Sequence, residues 1–382
     1  MFPKEIEKFI QDNLHQSTAK ISLKLSKKTT WPKEEIINQI NGLQKSKSKF
    51  PFLEAYSNFK FPSPRAFSQA SSEQTAKFKA QLIQAETIAD LSGGMGIDSY
   101  FFSRIAKKVS YIEANNTIYE KATFNFKVLK AHNIETYHST AEDFIINENQ
   151  FDLIYIDPDR RNKEKRLFLL EDCKPNVLNL LPQLFKISNK ILLKLSPIID
   201  LESLFRQLPN ISTIWVVAVK NDCKEVLVKL HKDKEQETKI NCINLLDEGM
   251  EDFQFDYQTE KVSEVSYSKP LNYLYEPNVA IYKAGAFKSI AKKFGLKKLA
   301  PNTHLYTSNE KIENFPGRNL KIMAVDKPKK GSQLSASIVS RNFPQTADEI
   351  RAKYKISESK DHFLYACRLQ DNSKVFIHAE RL

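Results

Sequence analysis

From Thr87 onward the chain alternates short apolar runs with helical patterns, and this rhythm constrains its fold more than any other feature. Strands are expected over 87–91, 108–113, 135–138, 153–157, 190–194 and 213–219, with helices after Asp98, Asn115, Thr140, Lys174 and Asp200. Such alternation predicts a mostly parallel sheet covered on both faces, because parallel strands need crossovers and the crossovers pack on the sheet. At the first strand-to-helix turn, Asp90-Leu91-Ser92-Gly93-Gly94-Met95-Gly96-Ile97-Asp98 puts three of the chain's nine glycines within four residues. A glycine cluster there lets a nucleoside cofactor lie against bare backbone. The spacing is not G-x-G-x-x-G and no G-x-x-x-x-G-K-[ST] occurs, which removes the dinucleotide fingerprint and the P-loop.

Around this core the pattern changes. Residues 1–86 read as helical: Ile6, Phe9, Ile10 and Leu14 recur at helical spacing, as do Ile36, Ile37, Ile40 and Leu43 after Trp31-Pro32. Lys45–Lys49 reads as a basic break, and 59–67, with Pro62 and Pro64, as an extended loop. Ser71 or Ser72 can cap a helix running on to Ala80. Past the sixth strand, 225–230 and 240–245 are expected to pair as an antiparallel hairpin, joined by a charged loop over 232–237. The strand–helix rhythm ends near 263–270, and 320–325, 346–354, 362–369 and 374–380 read as strand, helix, strand, strand. The expected organisation is a helical region over 1–86, an α/β core over 87–262, a small module over 263–317 and an α+β domain over 318–382.

The net charge of +12 is unevenly spread: residues 1–86 carry +6, residues 270–382 carry +10, and the centre carries −4. A near-neutral core between basic ends suits polyanion binding, although lysine-rich surfaces also serve solubility alone. The four cysteines are far apart, without C-x-x-C, and the seven histidines form no H-x-x-x-H, so reduced thiols and no metal are expected. Cys223 is better read as a structural thiol than as a nucleophile, and His132 and His138 as core or surface residues. No apolar run reaches 18 residues and the first residues lack an apolar signal core, so a cytoplasmic protein without a membrane span is expected.

Open α/β sheets bind ligands at the carboxyl ends of their strands. Asp90, Ser92, Gly93, Gly94 and Gly96 follow the first strand, and Glu113 ends the second, 20 residues past Gly93, where a carboxylate can accept both hydroxyls of a ribose. Lys194-Leu195-Ser196-Pro197 follows the fifth strand and would border a substrate cleft, through Lys194 and Ser196. D-L-S-G-G-M-G-I-D resembles motif I of the class I S-adenosylmethionine (SAM) methyltransferases, and Asp157-Pro158-Asp159-Arg160-Arg161 falls at the place of their motif IV, [DN]-P-P-[YFW]. Asp157 and Pro158 match that motif; Asp159 and Arg160 depart from it, so the aromatic that would stack on a base is missing. At the third strand Thr140 stands where the family usually places an acid near the adenine, with Glu142 two residues on.

Together with Ser71–Ala80, Lys194–Pro197 and Asn221-Asp222-Cys223-Lys224-Glu225, these motifs are similar to one bacterial group of class I methyltransferases, built from a helical region, a Rossmann-like core and a THUMP-like C-terminal domain. That resemblance implies SAM as cofactor, held by Asp90, Ser92, Gly93, Gly94, Gly96, Glu113, Thr140 and Glu142, with Gln74 and Thr75 closing over it. It implies a catalytic Asp157-Pro158-Asp159 and structured RNA, tRNA or rRNA, as substrate. Arg160 and Arg161 would grip phosphate or carboxylate, or else form a local salt bridge with Asp157 or Asp159. The competing readings are a methyltransferase of protein or of an anionic small molecule, and a non-catalytic RNA-binding adaptor on the same fold.

Overall fold

A computed structural model describes residues 2–146, 149–160, 170–233, 237–326 and 334–382. The chain divides into two compact units, Met1–Ile211 with Leu227–Glu235, and Ser212–Val226 with Gln236–Leu382.

The first unit opens with helices α1 (Lys4–Asp12), α2 (Thr18–Ser26) and α3 (Lys33–Lys49). They bury Ile6, Ile10, Ile21, Leu25, Ile36 and Ile40 against one another. The stretch Lys45–Lys49, expected as a break, is instead the end of α3. Lysine propagates a helix well, and the Ser46 and Ser48 hydroxyls bond back to the carbonyls of Leu43 and Lys45. The expected loop over 59–67 likewise ends early. Pro64 starts α4 (Pro64–Gln69), where its missing N–H costs nothing, and Ser63 caps the turn. Next, α5 (Glu73–Gln81) is capped by Ser72, which accepts from Thr75 N.

The core of this unit contains β1 (Thr87–Asp90), α6 (Ile97–Ser103), β2 (Lys108–Glu113), α7 (Asn116–Val128), β3 (Ile134–His138), α8 (Ala141–Ile145), β4 (Leu153–Ile156), the two-residue strands β5 (Asp159–Arg160) and β6 (Cys173–Lys174), α9 (Val177–Ile187), β7 (Lys190–Leu195) and α10 (Leu201–Gln207). The order β7-β4-β1-β2-β3 is parallel throughout. β4 and the last three residues of β1 are buried, as a sheet covered by helices requires. The chain runs outward from β1 to β3 and then returns to lay β4 beside β1. The carboxyl ends of β1 and β4 therefore flank the switch in strand order, where open α/β sheets form their ligand crevice.

Most of β8 (Ile211–Val219) belongs to the second unit, and β9 (Asp222–His231) is shared between the two. There β10 (Lys239–Leu245) pairs parallel with β8 and antiparallel with β11 (Met250–Asp256). The hairpin expected between 225–230 and 240–245 is thus not formed. β10 takes both its partners elsewhere, because the short link 246–249, with Gly249 at positive φ, closes a hairpin with β11 instead. Of the charged connection, residues 234–236 lie outside the described residues.

After α11 (Tyr257–Val262) come β12 (Tyr273–Pro277), α12 (Val279–Ala284), α13 (Phe287–Lys293), β13 (Lys297–Lys298), β14 (Tyr306–Ser308), β15 (Gly317–Val325), β16 (Ser337–Arg341), α14 (Ala347–Tyr354), β17 (His362–Arg368) and β18 (Lys374–Arg381). The seven strands from β12 on form one sheet, β13-β14-β12-β15-β18-β17-β16. Alternate residues of β17 serve its two faces: Phe363, Tyr365 and Cys367 join Leu274, Leu299 and Leu305, while Leu364 and Ala366 pack with Ile350 and Tyr354 of α14. A capping box of Thr346 and Glu349 fixes the start of α14. The sequence pattern did not reveal β16, because all five of its residues are half-buried and two are serine.

Candidate functional site

The β1–α6 loop is held from below. Gly93 N donates to Ile112 O at 2.8 Å, and the Tyr111 hydroxyl of β2 donates to Gly94 O at 2.6 Å. A Cβ on Gly93 would lie 2.2 Å from the Tyr111 ring, and one on Gly96, whose φ is +81°, 2.6 Å from Phe126. Gly94 differs: its φ is +53°, and a Cβ there would meet nothing nearer than Ser92 O at 3.7 Å. Two glycines are therefore required by packing beneath the loop. The third presents open backbone. Glu113, at the end of β2, accepts from Gly94 N at 2.9 Å and from Asn115 N at 2.6 Å.

Beside this loop lies a cluster of charges. Asp90 is buried; it accepts from Ser92 N at 3.1 Å and from Ser99 Oγ at 2.5 Å. Burial raises its pKa to about 7, against the lowering effect of the Ser99 hydrogen bond. Ser92 Oγ in turn accepts from Asp157 N at 2.6 Å, tying the first loop to the residue after β4. The Asp157 carboxylate, about a third exposed at 34%, receives Lys194 Nζ at 2.5 Å. Burial still holds its pKa above the ordinary carboxylate value, with Lys194 opposing.

A second pair lies deeper. Lys79 of α5 is fully buried, 3.3 Å from Asp98 of α6 and donating to Ser71 Oγ at 3.0 Å. Asp98 also accepts from Ser71 and Tyr155 hydroxyls at 2.7 and 2.8 Å. Burial alone would raise its pKa, but Lys79 and Lys194, with those two hydroxyls, bring it below the ordinary value.

Of the residues singled out in the sequence, the structure thus links Asp90, Ser92, Gly94, Glu113, Asp157 and Lys194 through hydrogen bonds at the carboxyl ends of β1, β2 and β4. Pro158 is buried beside Asp157. Asp159 turns outward to Arg65 and Gln69 of α4, at 2.8 and 2.9 Å. Thr140 lies next to Ser139, whose N–H donates to Glu113 O, and its hydroxyl caps α8 by accepting from Asp143 N; Glu142 is exposed on that helix. The buried Thr75 hydroxyl donates to Ser72 O, while Gln74 beside it is half-buried. Ser196 accepts from Ile198 N in the turn after β7. Arg160 is described only as backbone in the β5–β6 ladder, and Arg161 lies outside the described residues.

Sequence reasoning missed Lys79, Asp98, Tyr111 and Arg65. A signal existed for Lys79: it shares the helix face of Thr75 and Ala76 at i+4 and i+3, a buried face on which lysine needs a partner. Among the described residues no cluster of three or more metal-ligating side chains occurs, and no helix is long and apolar enough to cross a membrane.

A ferredoxin-like domain family matches residues 273–316 and a THUMP domain-like family matches residues 320–381. A "putative methyltransferase" from Porphyromonas gingivalis has a solved structure with TM-score 0.86 and 29% identity, covering 100% of this chain and 99% of that one. More distant is an rRNA methylase from Streptococcus thermophilus, with TM-score 0.31 and 16% identity over 43% of this chain and 95% of that one. So is a second "putative methyltransferase", from Escherichia coli, with TM-score 0.32 and 18% identity over 45% of this chain and 89% of that one. These two are too remote to carry an argument. No curated protein matches the chain. The chain thus combines a Rossmann-like sheet, an end-to-end likeness to the Porphyromonas protein, and a THUMP-like domain at residues 320–381 that follows the core.

Proposed function

We propose that the protein transfers a methyl group from SAM to structured RNA, tRNA or rRNA. The observation that carries the cofactor reading is Gly94, whose backbone stands bare on the outer side of a loop that is otherwise packed tightly from below. The chemistry of the surrounding donors fits a nucleoside. A carboxylate offers about four acceptor positions, so Glu113, with two used by Gly94 N and Asn115 N, keeps capacity for ribose hydroxyls. In this reading Asp90, Ser92, Gly93, Gly94, Gly96 and Glu113 hold SAM, Thr140 and Glu142 border its adenine, and Gln74 and Thr75 close over it. When bound, SAM supplies a methyl group already activated on a sulfonium.

The protein's task is then mainly positioning, a source of rate enhancement that needs no strong acid or base. Asp157 accepts a hydrogen bond from the acceptor amine and aims its nitrogen. Lys194 holds the Asp157 carboxylate in one orientation, and Asp159, fixed by Arg65 and Gln69, shapes the cleft's outer edge. Support for RNA comes from the +10 charge of residues 270–382 and the THUMP-like match at 320–381.

The test is transfer of labelled methyl from SAM to RNA, protein or metabolites, offered separately. Label should enter RNA. Asp157→Ala should abolish transfer, by at least about a hundredfold for a lost positioning contact, while calorimetry shows SAM still bound. Gly94→Val should abolish SAM binding itself. Label confined to protein or metabolites would reject the RNA substrate, and full activity of Asp157→Ala would reject the role of Asp157.

A further inference from the structure

The second unit contains an arginine cluster that the methyl-transfer reading leaves unused. Glu276, near the end of β12, is buried, with 4% of its side chain exposed. Its Oε2 accepts from Arg318 Nη1 at 2.7 Å and the Tyr365 hydroxyl at 2.8 Å, and its Oε1 from Arg341 Nε and Nη2 at 2.9 and 2.6 Å. β12 and β16 are separated in the sheet by β15, β18 and β17, so this contact requires the sheet to coil over its own face. Both arginine side chains remain part-exposed, 38% for Arg318 and 40% for Arg341. Arg318 and Arg381 lie over the Phe363 ring, at 5.5 and 5.8 Å from its centre, and Arg341 lies 5.4 Å from that of Tyr282. Arg381 is exposed and has no ion pair among the described residues.

One carboxylate thus serves two arginines while Arg381 shares the Phe363 ring with Arg318, and this part of the sheet keeps an excess of positive charge in groups already oriented. Glu276 spends two donors of Arg341 and one of Arg318; the remaining N–H groups of these forks are uncommitted to any carboxylate among the described residues. Ring contacts hold the guanidinium planes, so a ligand would find them with little ordering left to impose. We propose that Arg318, Arg341 and Arg381 form a clamp for the phosphodiester backbone of RNA, with Glu276 as an internal counter-charge that aligns two of the three. The identity of the polyanion rests on the RNA reading above; the clamp chemistry follows from the arginines themselves.

Binding of a fluorescein-labelled, mixed-sequence single-stranded RNA by the full chain, without SAM, tests this over a range of salt. Arg381→Gln, at an exposed position, should leave the melting temperature unchanged, weaken binding several-fold and reduce the slope of log affinity against log salt by about 0.7. Glu276→Gln should act in the opposite direction, tightening RNA binding while lowering the melting temperature. A purely structural role for Glu276 would give the second effect without the first. RNA that binds equally well to the wild type and both variants would overturn the clamp and leave the RNA reading intact. Absence of binding by the wild type at low salt would also overturn the clamp, and the labelled-methyl assay would decide the substrate separately.

Discussion

Asp90 and Asp98 flank the same glycine loop, yet their ionisation is driven in opposite directions. Asp90 has two serines for partners and no cation among the described residues, so burial prevails and its pKa reaches about 7 from an ordinary 3.8. The folded protein therefore holds a proton that the unfolded chain has already lost between these values. Stability contributed at Asp90 is fully present below 3.8, falls as pH rises towards 7 and is flat above it. Asp98, held below its ordinary value by Lys79 and Lys194, contributes stability that is lost only on acidification through its own low pKa. We expect urea midpoints of the wild type to decline from pH 5 to pH 7, and those of Asp90→Asn to decline less. Parallel curves would rule out Asp90 as the source. At this scale the sequence was informative wherever a residue's place in the strand pattern determines its position: Asp90, Glu113 and Asp157 all end or follow strands. It was silent on Lys194 as the partner of Asp157, because 37 residues separate the two and only the β4–β7 pairing brings them together.

Among the elements, α5 is the one whose role the helical pattern understates. A serine cap, Ser71 or Ser72, was legible from the Ser-Ser-Glu-Gln start, and Ser72 fills it, but the helix's charged residue on the buried face contacts a different helix. Removing one member of a buried ion pair leaves the other uncompensated, which typically costs about 3–5 kcal/mol. Lys79→Met should destabilise the protein by that order in chemical denaturation, and adding Asp98→Asn should recover part of the loss. Equal stability of Lys79→Met and wild type would show that Asp98 is adequately held by Ser71, Tyr155 and Lys194. Elements also account for the sequence's failures. The end of α3 was hidden by a basic composition that reads as loop, and the partners of β10 were hidden because hydrophobic pattern specifies a strand but not its neighbour.

At the scale of the molecule, the two family matches meet inside one sheet. β12, within the ferredoxin-like match, pairs over five residues with β15, most of which lies in the THUMP-like match. A chain ending at Pro316 would expose that edge of β12 and lose Arg318, Arg341 and Tyr365 from around the buried Glu276. We expect such a truncation to aggregate or to lose the circular-dichroism signal of residues 236–316, and a well-folded soluble product would disprove the interdependence. The strand–helix rhythm made the α/β character legible, but it could not reveal a sheet assembled from strands as short as two residues. The Lys79–Asp98 contact has a consequence for anyone wishing to recombine parts of this protein. A cassette cut where the strand rhythm begins, at Thr87, would carry Asp98 away from Ser71 and Lys79 and leave this buried anion only Tyr155 and the charge of Lys194 in its new host. The transplantable core therefore begins before Ser71, and a chimera that respects this junction inherits its own counter-ion.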